Sequence, residues 1–172
     1  MFEMFCYCSA LTSLDVSNFN TSQVSYMTSL FFRCSSLTSL DLSSFDTHLV
    51  TTMNQMFQNC SSLTSLDLSN FNTPKLTSMS NMFEGCSSLT SLDLSSFDLS
   101  ALTNTTRMFY NCSSLTTLIM TGASVKKLTT EGNTKAITYA DAASLEDATI
   151  YTLTGSVSGS YFVVSSATPK TE

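Results

Sequence analysis

Two hydrophobic rhythms alternate along the chain. Near residue 66 the text SSLTSLDLSNF sets Leu63, Leu66, Leu68 and Phe71 against Ser65, Asp67 and Ser69. Leu66 and Leu68 are two residues apart and share one face of an extended segment, with the polar residues on the other. The pattern predicts a short strand with one buried face. Leu76, Met79, Met82, Phe83 and Cys86 follow at intervals of three, three, one and three, which predicts a short α or 3₁₀ helix with one apolar side. Thr73 before Pro74 supplies a capping hydroxyl and a residue suited to the first helical position. Asn59, Gly85 and Asn111, each just before a cysteine, are types that accept a left-handed backbone after a helix. Arg33 breaks that rule.

This strand–turn–helix–turn unit recurs. CSSLTSLDLS occupies 34–43, 60–69 and 86–95, with CSALTSLDVS from Cys8 and CSSLTTLIMT from Cys112. A fixed period of 26 residues is the mark of stacked supersecondary units, none of which can bury its apolar face alone. Stacking sets equivalent residues about 4.8 Å apart, giving ladders of Leu14, Leu40, Leu66 and Leu92, of Phe19, Phe45, Phe71 and Phe97, and of Cys8, Cys34, Cys60, Cys86 and Cys112. The expected architecture is an α/β, right-handed, leucine-rich-repeat-like solenoid over 1–120, of about four and a half turns. Short parallel strands alternate with short helices in it, and its N-terminal end is open. Met1, Met4, Phe5 and Cys8 align with Met53, Met56, Phe57 and Cys60, so the chain reads as starting inside an array.

After residue 120 the text changes. Four of the five glycines lie beyond it, YADAASLEDA suggests a short helix starting near Asp141, and ATIYTLTGSVSGSYFVVSSA reads as two strands around a Gly/Ser turn. Ile119 stands where earlier units have an outward aspartate, which suggests that the tail covers it. Residues 121–172 are expected to be a β-rich C-terminal cap or the start of a small β module.

The period and the text LTSLDLSNFNTPKLTSMSNMFEGC of residues 63–86 resemble the leucine-rich repeats, and within them the BspA-like bacterial surface proteins. The resemblance covers about residues 1–118, where strand, helix and cysteine phases all agree. It implies a curved solenoid on a secreted or surface-attached bacterial protein, often an adhesin contacting host or neighbouring-cell proteins. Phe71 stands where ordinary leucine-rich repeats have an asparagine ladder, so their concave-face chemistry is not carried over.

Charge narrows the partners. Seven basic against 13 acidic residues give a net charge of −6, a balance that disfavours nucleic acid because little is available to displace its counterions. No run of about 18 apolar residues is present, and the N-terminus lacks the basic and apolar segments of a secretory signal. No membrane insertion is expected for this segment, and any signal or anchor would lie outside the sequence.

The candidate chemistry is mostly structural. Five cysteines in one phase and the methionines Met27, Met53, Met79, Met56, Met82 and Met108 read as core, although thiols and thioethers can also bind metals. Cys6 is out of phase and is expected to be the exposed thiol. His48, the single histidine, lies at an exposed position with no nucleophile aligned to it, and there is no glycine-rich phosphate loop. No enzyme and no cofactor is expected.

The most informative outward feature is a row of carboxylates with flanking hydroxyls: Asp15 with Ser13 and Ser17, Asp41 with Ser39 and Ser43, Asp67 with Ser65 and Ser69, Asp93 with Ser91 and Ser95. It reads either as a solvated face that blunts aggregation or as a stripe for a basic partner. Ca²⁺ at Asp41, Asp67 and Asp93 is a weaker version. Tyr26, Phe32 and Tyr110, at variable positions, are aromatic contact candidates. The leading expectation is a non-enzymatic scaffold recognising an extracellular protein. The alternative is a spacer without a ligand of its own, and the open first turn offers a surface for end-to-end self-association.

Overall fold

The computed structural model describes residues 1–171. Successive units lie in register, held by backbone hydrogen bonds that join residues 25 apart. The amides of Met27, Ser29, Phe31 and Arg33 donate to the carbonyls of Thr52, Asn54, Met56 and Gln58 at 2.8–3.0 Å. The same four rungs recur from Met53, Gln55, Phe57 and Asn59 to Ser78, Ser80, Met82 and Glu84, and from Met79, Asn81, Phe83 and Gly85 to the next unit. Parallel bridges link Tyr26, Thr52, Ser78 and Asn104 in one line.

These bonds explain why the expected helices are absent. An α-helix spends each amide on the carbonyl four residues back, whereas here every second amide of the segment is spent on the neighbouring unit. The intervening amides close four-residue turns, as in Phe32 to Ser29 and Cys34 to Phe31. Every fourth residue takes a left-handed backbone: Ser29 and Arg33, Gln55 and Asn59, Asn81 and Gly85, Arg107 and Asn111. That conformation costs a non-glycine residue about 1–2 kcal/mol and stops helix propagation. The apolar spacing survives because successive turns bring the same residues to one side. Thr73, expected to cap a helix, instead donates its buried hydroxyl to the Asp98 carbonyl and accepts the Asp98 amide. Thr21 and Thr47 do the same with Asp46 and Asn72.

The expected strands are also fewer. Segments 39–43 and 65–69 are extended with the predicted alternation, Leu40, Leu42, Leu66 and Leu68 buried and their polar neighbours exposed, but form no regular ladder. Among the described residues of the repeating units, strands form at β1 (Ser91–Asp93) and β2 (Thr117–Thr121), which pair in parallel with Leu92 opposite Leu118.

The tail joins this sheet. Helix α1 (Gly122–Thr129), which the sequence reading missed, follows β2 directly and is capped by the Thr121 hydroxyl accepting the Ser124 amide. After β3 (Ile137–Thr138), only one 3₁₀ turn, Ala142–Ser144, forms where a short helix was expected. The predicted hairpin is present as β4 (Ile150–Ser158) and β5 (Tyr161–Pro169). β4 runs antiparallel to β2, and the mixed five-stranded sheet has the order β1-β2-β4-β5-β3. Ile119 opposes Thr152 and stays partly exposed, so the tail extends the sheet edge and does not cover that side chain fully.

One continuous core runs through the units and into the tail. Its spine is a file of phenyl rings, Phe5, Phe31, Phe57, Phe83 and Phe109, with centroids 5.7–6.3 Å apart and planes within 10° of parallel. The separation exceeds one strand spacing, as expected of offset-stacked rings. Beside it Cys34, Cys60, Cys86 and Cys112 each donate a thiol hydrogen to the carbonyl of the phenylalanine 29 residues earlier, at 2.9–3.2 Å. Burial pushes the Cys34 thiol pKa up to about 11 and those of Cys60 and Cys112 up to about 12. Cys8 has no such partner and is exposed, whereas Cys6, expected to be the exposed thiol, is half-buried, with its pKa raised by that burial.

Two measurements check this packing. Phe57→Ala should cost about 3–5 kcal/mol in urea unfolding, and Phe5→Ala, at the half-buried end of the file, clearly less. A thiol reagent at neutral pH should label Cys8 first, and Cys60, Cys86 and Cys112 only on denaturation, because a buried neutral thiol is inert.

Candidate functional site

The local sequence Leu-Asp-Leu-Ser builds the acidic row. Alternation buries Leu66 and Leu68 and sends Asp67 out, where its Oδ1 accepts the Ser69 amide at 2.9 Å. Asp15, Asp41 and Asp93 hold the amides of Ser17, Ser43 and Ser95 at the same 2.9 Å. Each is an Asx turn, a side chain standing in for a backbone turn carbonyl. The carboxylates are therefore oriented alike from unit to unit, and one oxygen of each lies outside the turn.

Hydrogen bonding from the serine two residues on holds the Asp15, Asp41 and Asp67 pKa values below the ordinary carboxylate value. Repulsion between successive rungs opposes this, Asp15 acting on Asp41 and Asp41 on Asp67, but it is the smallest contribution to each. The hydrogen bond wins because the carboxylates point into water, which screens the repulsion between like charges. Ser13, Ser17, Ser39, Ser43, Ser65, Ser69 and Ser91 are exposed around them and Ser95 is half-buried. The fourth rung is already occupied: Lys170 places Nζ 3.4 Å from Asp93 Oδ2. Among the described residues no group of three acidic, thiol or imidazole side chains is placed to hold a metal ion.

The aromatic candidates fall in different settings. Tyr26 is 59% exposed and its segment pairs with Thr52. Phe32 packs edge-on against Tyr7, with ring centroids 5.2 Å apart. Tyr110 lies under the Arg107 guanidinium, 4.2 Å from its ring centroid, and Arg107 also reaches Glu84 at 3.4 Å. The structure thus gathers none of these three with the acidic row through a direct contact. His48 rests on Asp46, with Nδ1 2.6 Å from Oδ1, in an Asx turn of the same kind.

The sequence reading passed over Tyr7 and the meeting of Arg33 with it. The guanidinium carbon of Arg33 lies 5.3 Å from the Tyr7 ring centroid and 5.4 Å from that of Phe32. The signal was there in the breaking of the asparagine-or-glycine rule before cysteine, but the contact itself joins residues one full unit apart.

The lowered pKa values fix a pH dependence. A carboxyl group whose folded pKa lies below its unfolded value stabilises the fold above about pH 4 and loses that contribution as pH falls through the folded pKa. An Asp41→Asn/Asp67→Asn double variant should therefore melt slightly lower than the parent at neutral pH, where its amide oxygens still accept the serine N–H but carry no charge, and should show a shallower decline below pH 4. Asp67→Ala, which leaves the Ser69 amide without its partner, should melt lower than Asp67→Asn.

Comparison with curated proteins and with solved structures finds no match. A family model described as Mycoplasma protein of unknown function, DUF285, matches residues 1–121. That span carries the stacked units, the phenyl file and the whole acidic row, and the chain belongs to this family.

Proposed function

We propose that residues 1–120 are a right-handed leucine-rich-type solenoid of the BspA-like kind, and that the chain is a non-enzymatic recognition scaffold displayed on a bacterial surface. Its contact face is the row Asp15, Asp41 and Asp67 with the flanking serines. The partner is an extracellular protein presenting basic side chains at matching intervals.

One observation carries this reading. Asp93 takes Lys170 from the chain's own tail, so a lysine fits the carboxylate oxygen outside the turn, and Asp15, Asp41 and Asp67 offer the same oxygen with no basic group within ion-pair distance among the described residues. Rungs of one orientation about a strand spacing apart suit an extended basic segment better than a single point charge. Such complementarity sets register and association rate more than raw affinity. The bacterial setting is supported by a family described from Mycoplasma. The solenoid reading is supported by the in-register bonds and the buried leucines.

The test is surface plasmon resonance of the chain against a panel of purified extracellular-matrix proteins. A basic binder is expected, with affinity falling at least about tenfold when Asp41 and Asp67 become asparagine and little changed in Glu131→Gln/Asp141→Asn. A binder indifferent to the row would overturn the assignment of the face. A chain that binds none of the panel would favour a spacer.

A further inference from the structure

The residue before each cysteine is left-handed in every unit, with φ between 60° and 74° at Tyr7, Arg33, Asn59, Gly85 and Asn111. Asparagine and glycine take this conformation at low cost, and three units use them. The first two place a phenol and a guanidinium there. Strain accepted at a position where cheaper residues serve the neighbouring units points toward function.

The two exceptional side chains meet. Arg33 is exposed, sits against the Tyr7 and Phe32 rings, and among the described residues has no carboxylate within 4.0 Å. Tyr7 is 62% exposed. Together with Ser9, Ser35, Asn59 and Ser61 they line an open groove of about 480 Å³, in which Arg33 is the one charged residue. The Ser35 and Ser61 hydroxyls donate weakly to the Ser9 and Ser35 carbonyls at 3.5 and 3.4 Å, which leaves their oxygens as acceptors.

We propose that this groove binds a carboxylate-bearing sugar. A guanidinium oriented by two rings and not neutralised by the chain is preset for bidentate pairing with a carboxylate. The exposed Tyr7 ring offers an apolar plate for the C–H face of a pyranose, and the Asn59 amide and serine oxygens match its hydroxyls. The groove lacks the buried apolar pocket that anchors a peptide side chain. It shares no residue with the acidic row, so it stands or falls apart from the proposal above.

Chemical-shift titration of the ¹⁵N-labelled chain with glucuronate tests it, with glucose and acetate as controls. Glucuronate should saturably shift Tyr7, Arg33 and Asn59, and glucose or acetate only weakly. Arg33→Asn should weaken glucuronate binding at least about tenfold, the effect of losing a charge-assisted pair, while its melting temperature holds or rises because asparagine suits the left-handed backbone. Tyr7→Asn should weaken binding of glucuronate without creating any for acetate. An equal response to glucose or to acetate, binding unchanged by Arg33→Asn, or a marked loss of stability in that variant would each overturn the proposal.

Discussion

Everything in residues 1–111 depends on amides that reach across to the next unit instead of closing a helix. Four backbone hydrogen bonds per interface, between residues 25 apart, fix the register of one unit on another. Once register is fixed, every side chain lies beside its counterpart. Phenyl rings then stack with parallel, offset planes, leucines fill one core, and aspartates repeat at one orientation. A slip by one residue would turn the buried leucines of the extended segments outward, so the apolar file and the hydrogen bonds enforce the same answer. Agreement between local pattern and global packing of this kind is what makes a sequence specify one structure.

The short polar residues serve that register in three ways. Buried threonines bridge to the unit ahead through both amide and carbonyl, cysteines reach back to a phenylalanine carbonyl, and aspartates close turns within their own unit. A chain so rich in serine and threonine is well suited to this, because buried backbone groups must be paired and a small hydroxyl can reach a neighbouring carbonyl without disturbing the core. The same economy separates building positions from free ones. Residues that recur in all units hold the stack together. Those that depart from the pattern, such as Tyr7 and Arg33, are exposed and collect where chemistry beyond packing can be read.

The tail solves a problem created by the stack. A last parallel strand would expose a row of unpaired backbone groups, a template for aggregation. β4 pairs with that strand in the opposite direction, the two-residue β3 covers the start of β5, and beyond it β5 bulges at the Thr154/Gly155 register shift and ends at Pro169. Both features blunt the new edge. Lys170, just beyond Pro169, reaches Asp93 and so ties the end of the hairpin to the acidic row.

The period of 26, the buried leucines, the inward cysteines and the hairpin at 150–169 were legible in the sequence, because each is a matter of spacing between chemically unlike residues within a short window. The outward aspartates were legible for the same reason. Only the tertiary structure decided that the Met–Met–Phe–Cys segments are runs of turns. Turns and a short helix share the same apolar spacing, and the choice between them rests on whether amides find partners inside the segment or 25 residues away. Helix α1 escaped notice because Gly122, Ser124 and Thr129 weaken its local signal, while its burial against the end of the core stabilises it. The threonine bridges, the Lys170–Asp93 pair and the Arg33–Tyr7 contact were likewise settled by the stack, which brings together residues that lie far apart in the chain.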